Sequence, residues 1–206
     1  MHEALALDVS HPESPAKLVA RAAERFGRLD ILVCNAGGPP PGPFVKFGEE
    51  DWQRALNLNL MSTIRLCREA IPHMRRRGGG RIITITSMGA KQPLDNLVLS
   101  NVARAGVMAL VKSLSNELAP EGILVNNICP GVVYTDRIQF LIESRAKAQN
   151  VSVEEAKAAY EEDIPLGRMG RPEELANLIV FLASKAGSYI TGSTIAVDGG
   201  RVRGLF

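Results

Sequence analysis

Asp30-Ile-Leu-Val-Cys-Asn-Ala-Gly37 is an apolar run that ends directly in small, turn-forming residues. An unbroken Ile-Leu-Val stretch reads as a strand buried on both faces, as in a parallel sheet. Asn35-Ala36-Gly37 lets the backbone approach a ligand at the strand's carboxyl end, and it equally suits a plain strand-to-loop turn. The same pattern repeats outward from this run. Arg81-Ile-Ile-Thr-Ile-Thr-Ser87, Ile123-Leu-Val-Asn-Asn-Ile-Cys-Pro130 and Thr194-Ile-Ala-Val-Asp198 read as strands, and residues 4–8 read as a short strand ending at an acid. Helical stretches lie between them. Ser14-Pro15 opens one, with Pro in the first turn, and Gly27 closes it. Residues 49–77 read as one long helix bent before Pro72, and residues 99–118 as a second long helix. A charged helical insert covers about 137–162, and a last helix runs from Arg171-Pro172 to about Ser184. Strands alternating with helices imply an α/β fold: a Rossmann-like, doubly wound parallel sheet in a three-layer sandwich. A length of 206 residues suits a single domain.

Composition narrows the function classes. The chain is 46% apolar and 22% charged, an ordinary globular balance. A net charge of +2 gives no case for a nucleic-acid partner. The one basic run, Arg75-Arg76-Arg77, precedes Gly78-Gly79-Gly80 and reads as cations at a helix C-terminus, where the macrodipole favours them. Three scattered cysteines argue for a reducing compartment and against a disulfide or zinc framework, and the three histidines have no metal-ligand spacing. No metal site is expected. No apolar run approaches the roughly 18 residues of a membrane span, and the first residues lack a leader pattern. A cytoplasmic location without membrane contact is the expectation.

Several segments together carry a family resemblance: Cys34-Asn-Ala-Gly37, Thr86-Ser87-Met88-Gly89, Leu97-Val-Leu-Ser100-Asn-Val-Ala-Arg104-Ala-Gly-Val107, Pro130-Gly131 with Thr135, Pro165-Leu-Gly-Arg-Met-Gly-Arg-Pro172, and Tyr189-Ile-Thr-Gly-Ser-Thr-Ile-Ala-Val-Asp-Gly-Gly200. They resemble the short-chain dehydrogenases/reductases, most of all the β-ketoacyl-(acyl-carrier-protein) reductase type. The resemblance implies an NAD(P)-dependent oxidoreductase acting on a small-molecule carbonyl or alcohol, and a homodimer or homotetramer with helices 49–77 and 99–118 at one interface. It implies that Ser87 bonds the substrate carbonyl and that Asn59 holds a water of the proton relay. Asn is a poor helix-interior residue, yet Asn57 lies two positions earlier, so oddness alone does not single out Asn59. Asp8 with Val9 would contact the adenine, although Asp8 also suits a helix entry. Asn35, Ala36 and Gly37 would pass beside the adenosine half. Pro130, Gly131, Val133 and Thr135 would contact the nicotinamide and diphosphate. Residues 137–162 would form a substrate lid.

Two departures qualify the chemistry. Ser87 and Ser100 are thirteen positions apart, the family's usual Ser-to-Tyr separation, so Ser100 and Arg104 stand where the family has Tyr and Lys. A Tyr hydroxyl begins near pKa ~10, and a neighbouring ammonium lowers it. A serine hydroxyl is a far weaker acid and is shorter by a ring. Arg104 keeps a positive charge that could bond ribose hydroxyls, but its planar fork is not a point charge. Tyr-type chemistry through Ser100 is not expected, and the acid is unassigned; Tyr134 is either a surface residue or a substitute acid. The second departure is that no Thr-Gly-x-x-x-Gly-x-Gly loop occurs in the chain. By comparison with the family, about fifty residues holding the first β-α-β portion are missing upstream of residues 4–8. Residues 4–8 then lose their neighbour and residues 31–34 become an edge. Either these two pair, or the chain is truncated or mis-started, which is the expectation. Cofactor binding, NADP or NAD, is expected to be weak or absent, and the residue that separates the two lies in the missing part. The competing reading is a non-catalytic, dinucleotide-sensing or structural member of the same fold.

Overall fold

Four parallel strands form one sheet, and the computed structural model describes residues 2–205 around it. The strands are β1 (Ile31–Asn35), β2 (Gly80–Ile85), β3 (Ile123–Pro130) and β4 (Thr194–Val197), side by side in chain order. The helices are α1 (Ser14–Phe26), α2 (Glu49–Leu56), α3 (Ser62–Arg76), α4 (Val98–Leu118), α5 (Asp136–Gln149), α6 (Val153–Glu161) and α7 (Pro172–Ala183). Side chains alternate across a strand, so each strand feeds two cores. On one face Leu32, Cys34, Ile82 and Val125 pack against Val19 of α1, Leu66 and Met74 of α3, and Val107 and Val111 of α4. On the other, Ile83 and Ile128 pack against Leu182 of α7. A third cluster around Ile142, Ala156 and Met169 joins α5 to α6. The expected three-layer α/β architecture is therefore present.

Residues 4–8 are not a strand. They pair neither with β1 nor with any other strand, and Glu3 just before them is held by Arg21 of α1 at 2.7 Å. A strand needs a ladder partner, and none is offered beside this segment. β1 is an edge, as expected, and its outward face is bare: Ile31 is 45% exposed and Val33 is 41% exposed. Val33 lies in register with Ile83, which α7 covers, so the covering layer stops one strand short.

The stretch expected as one long helix is broken near its first third. A π-helical turn over Asn57–Met61 separates α2 from α3, and the chain runs through Pro72 inside α3 without a break. Hydroxyls widen the turn. Ser62 Oγ donates to the Leu58 carbonyl at 2.5 Å and Thr63 Oγ1 donates to the Asn59 carbonyl at 2.9 Å, satisfying acceptors that helical N–H groups would otherwise take. Single π-helical turns of this kind recur at functional sites. In the turn after α3, Gly79 has a φ of +146°, and an added Cβ there would stand 2.8 Å from the Gly122 carbonyl oxygen.

Arg168 forks onto Glu174 at the start of α7, at 2.9 and 2.7 Å, and the Arg171 backbone N–H donates to the same carboxylate at 2.7 Å. The Arg168 bonds foremost, then the Arg171 N–H, hold the Glu174 pKa down at about 2, against an ordinary 4.5. A depressed folded-state pKa means that this contribution to stability is present above pH 4.5 and is lost as pH falls toward 2. Glu174→Gln is expected to flatten the stability curve across that window and leave the curve at pH 7 nearly parallel to the parent's. Chemical denaturation at a series of pH values measures it; an unchanged acid limb would contradict the assignment.

Candidate functional site

The carboxyl ends of β1 and β2 converge on one side chain, Arg104 of α4. Its burial, at 8% exposed, is unusual for an arginine and is made tolerable by complete pairing. Five N–H groups meet five oxygens. Nε donates to Ser100 Oγ at 3.1 Å. Nη1 donates to the carbonyls of Thr86 at 2.6 Å and Ile85 at 3.4 Å, and Nη2 to those of Gly37 at 3.2 Å and Ala36 at 3.4 Å. Burial pushes the Arg104 pKa below its ordinary value, yet a guanidinium stays protonated in proteins. Arg104 and Ser100 are one helical turn apart, which brings their side chains to the same face of α4.

Asn59 enters the same junction from the π-helical turn. Its Nδ2 donates to the Gly37 carbonyl at 2.7 Å, so that oxygen accepts from both Asn59 and Arg104. Its Oδ1 is a buried polar atom without a partner. A cavity of about 10 Å³, bordered by Asn59, Thr63, Thr86 and Arg104, adjoins it. That volume is about one water's worth. Ser87 stands two residues beyond β2. Its Oγ accepts from the Gly89 N–H at 3.1 Å, which leaves its own proton free to donate elsewhere.

The other predicted residues are more dispersed. Gly131 N–H donates to Val197 at 2.9 Å, and a Cβ on Gly131 would lie 2.7 Å from Asp198 Cα, so β3 and β4 approach closely only with glycine there. Val133 forms an isolated bridge with Gly170, and Thr135 caps α5, accepting from the Ile138 N–H at 3.5 Å. Asp8 and Val9 sit in a turn docked on α3, outside the Arg104 group. Asp8 Oδ1 accepts from the Ser10 N–H at 2.9 Å, which lowers its pKa, and Arg65 reaches the Ser10 carbonyl at 3.2 Å. Tyr134 is 42% exposed, with Lys157 Nζ 6.0 Å from its ring centre.

Sequence reasoning missed the polar layer behind the site. Asn127, fully buried in β3, accepts from Thr84 Oγ1 at 2.7 Å and from Thr86 Oγ1 at 3.0 Å, fixing the residue before Ser87. The signal was Asn126-Asn127 inside an apolar strand, since buried amides are found where partners await them. Asn101 was missed too. It brackets Leu94, with Nδ2 donating to the Leu94 carbonyl at 2.9 Å and Oδ1 accepting its N–H at 3.3 Å. Cys34 and Cys67 share a buried contact, and that contact together with burial pushes the Cys34 thiol well up. No group of residues suited to hold a metal ion occurs among the described residues, and no helix there is long and apolar enough to cross a membrane.

The family model described as enoyl-(acyl carrier protein) reductase matches residues 1–201. The chain belongs to the short-chain dehydrogenase/reductase family. It is 36% identical to pig dehydrogenase/reductase SDR family member 4 over 193 residues, which is 93% of this chain and 66% of the pig protein. It is 35% identical to the 3-oxoacyl-(acyl-carrier-protein) reductase FabG of Vibrio cholerae, covering 95% of this chain and 76% of that one. Among solved structures, L-sorbose reductase from Gluconobacter frateurii, complexed with NADPH and L-sorbose, superposes with a TM-score of 0.93 at 36% identity, covering 97% of this chain and 76% of that one.

For this family member the Arg104 junction makes a stability prediction. Arg104→Ala would remove a donor from four carbonyl oxygens and from the Ser100 hydroxyl, with Gly37 keeping a second donor in Asn59. The expected loss is at least about 3 kcal/mol, since bonds to charged groups contribute about 1.5–3 kcal/mol each and orphaned acceptors add to the cost. For a chain of this size that is a fall in Tm of roughly 6–12 °C. A thermal melt shifted by less than about 2 °C would mean that the junction relaxes without it.

Proposed function

We propose that this chain is a divergent NAD(P)-dependent oxidoreductase that moves a hydride between a nicotinamide and a carbonyl or alcohol carbon. The observation that carries the reading is the pairing of Ser100 Oγ with Arg104 Nε at 3.1 Å, at the strand ends where Asn59 and Ser87 also stand. The relatives support it: one is a 3-oxoacyl reductase and one was solved with NADPH. The residues present fit the nicotinamide end of a dinucleotide. A Cβ on Gly37 would meet nothing within 4 Å, so the backbone after β1 is open to close approach, and the Thr135 hydroxyl is exposed at the start of α5. Asn35, Ala36 and Gly37, with Pro130, Gly131, Val133 and Thr135, would hold the group, and Asp8 and Val9 its adenine end. A bound nicotinamide would supply the hydride.

The chain's own residues then divide the remaining work. Ser87 donates to the substrate oxygen and orients it. Ser100 Oγ accepts from Arg104 Nε–H at 3.1 Å and stands beside the reacting groups, but its hydroxyl is too short and too weakly acidic to replace a tyrosine, so the acid is unassigned. Asn59 Oδ1, without a protein partner beside the water-sized cavity, would accept from a water of the proton relay. Arg104 acts mainly as a clamp, because a ribose hydroxyl would have to displace a backbone carbonyl to reach it. Residues 137–162 close over the substrate as a lid, and α2 to α4 build a homodimer or homotetramer, for which the half-exposed Val102 on α4 offers apolar surface. The resemblance points to a 3-oxoacyl substrate and a cytoplasmic setting.

The same complete pairing of Arg104 favours a second reading, in which the chain is a non-catalytic, dinucleotide-sensing or structural member of the fold. Calorimetric titration with NADH and NADPH, followed by turnover of a carbonyl panel, separates the two. The oxidoreductase reading expects measurable turnover that Ser87→Ala lowers about 100-fold in kcat/KM, the usual scale for one oriented donor. It also expects Ser100→Tyr with Arg104→Lys to raise the rate of whatever fraction stays folded. Cofactor binding with no turnover in any variant would leave the second reading standing.

A further inference from the structure

A cavity of about 750 Å³ opens beside the Ser87 loop and is walled by the segment 88–97, by Asp163, and by Arg201 and Arg203 near the end of the chain. Its size suits a small-molecule ligand. It is registered to the candidate reacting groups by two covalent neighbours: Met88 follows Ser87 on the rim, and Asn101, which follows Ser100 on α4, brackets Leu94 in its wall. The wall is further fixed where Gly42 N–H donates to the Asn96 carbonyl at 2.7 Å and Arg203 N–H donates to Gln92 Oε1 at 3.1 Å.

The lining is uncommon for a substrate cavity, because such sites are mostly apolar with a few placed polar groups. Here two carboxylates, Asp95 and Asp163, line the cavity together with two guanidiniums, Arg201 and Arg203, and the Gln92 amide. Only Arg201 and Asp163 are paired with each other, at 3.3 Å. The charges cancel, so there is no surplus cation to favour a phosphate or carboxylate. An alkyl chain would strip water from Asp95 and Arg203 and return no hydrogen bonds. A carboxylate only accepts, a guanidinium only donates, and a hydroxyl does both. A row of neighbouring hydroxyls therefore satisfies both kinds of group, while Pro93, Leu94 and Leu97 offer apolar contact to the C–H faces between them.

We propose that this cavity is the subsite for the non-reacting part of the substrate, and that it takes an uncharged, polyhydroxylated carbon chain rather than an acyl chain. The inference rests on the oxidoreductase reading of Ser87 and Ser100, and it moves the expected substrate away from 3-oxoacyl thioesters.

The test is binding read without cofactor, by saturation-transfer NMR on the full chain. The probes are D-fructose, D-sorbitol, D-fructose 6-phosphate and the acetoacetyl thioester of N-acetylcysteamine. The expected result is that at least one uncharged polyol binds more tightly than the phosphate ester and the thioester. Asp95→Asn and Arg203→Gln, both at exposed positions, should each weaken it about tenfold with an unchanged melting temperature. Tightest binding of the thioester or the phosphate ester, polyol binding that ignores both substitutions, or no binding of any probe would overturn the proposal. Turnover with NADPH is scored separately. Polyol binding without turnover upholds the subsite and counts against the oxidoreductase reading. Thioester turnover without polyol binding upholds that reading and overturns the subsite.

Discussion

One guanidinium holds the two strand ends in register. Arg104 reaches from α4 across the carbonyls that close β1 and β2, and every one of its donors is used. A parallel sheet fixes its strands through the ladder, but the segments that leave the ladder have no such constraint, and their carbonyls point into the space where a site must be built. A buried cation that bonds four of them at once makes that backbone a rigid floor. Asn59 adds a fifth tie on the Gly37 oxygen, and Asn127 locks Thr86 from beneath. Ser87 and Ser100 are thus carried on backbone that is braced from three helical or strand elements.

The same set of bonds is one that a lysine at this position would not make. An ammonium at this position would carry three donors on a flexible stem, whereas the guanidinium fork is planar and commits its donors in fixed directions. With all of them turned inward, its influence on Ser100 is local: one N–H donated to Oγ. The π-helical turn at Asn57–Met61 plays the matching part on the opposite wall. It is stabilised by Ser62 and Thr63 and aims an amide into the junction while leaving Oδ1 over a water-sized space.

The sheet ends at a strand whose outer face is bare. Ile31 and Val33 are half exposed, and α7 covers the face only as far as β2. β1 is nevertheless held, because its other face, Leu32 and Cys34, is part of the main core with α3. One-sided burial suffices to place Ala36 and Gly37 where Arg104 bonds both carbonyls and Asn59 bonds the second.

The alternation of apolar runs and helical stretches determined the α/β class, the parallel sheet and most element boundaries, because periodicity and turn residues are local properties. α1 with its Pro15 start and Gly27 end, β3 and α4 were all legible in this way. That Ser87, Asn59, Ser100 and Arg104 belong to one set was implied by the family resemblance and not by periodicity. Residues 4–8 look like a strand for the same local reason, yet a strand exists only through a partner, and the fold offers none. The interruption at Asn57–Met61 was hidden because hydroxyl-to-carbonyl bonds, not a proline, widen the helix there. Which carbonyls after β1 and β2 Arg104 bonds, and that Arg203 comes to line one cavity with Asp95 and Asp163, depend on residues far apart in the chain. Only tertiary packing decides such contacts, since sequence spacing fixes direction along an element and says nothing of what the next element brings to meet it.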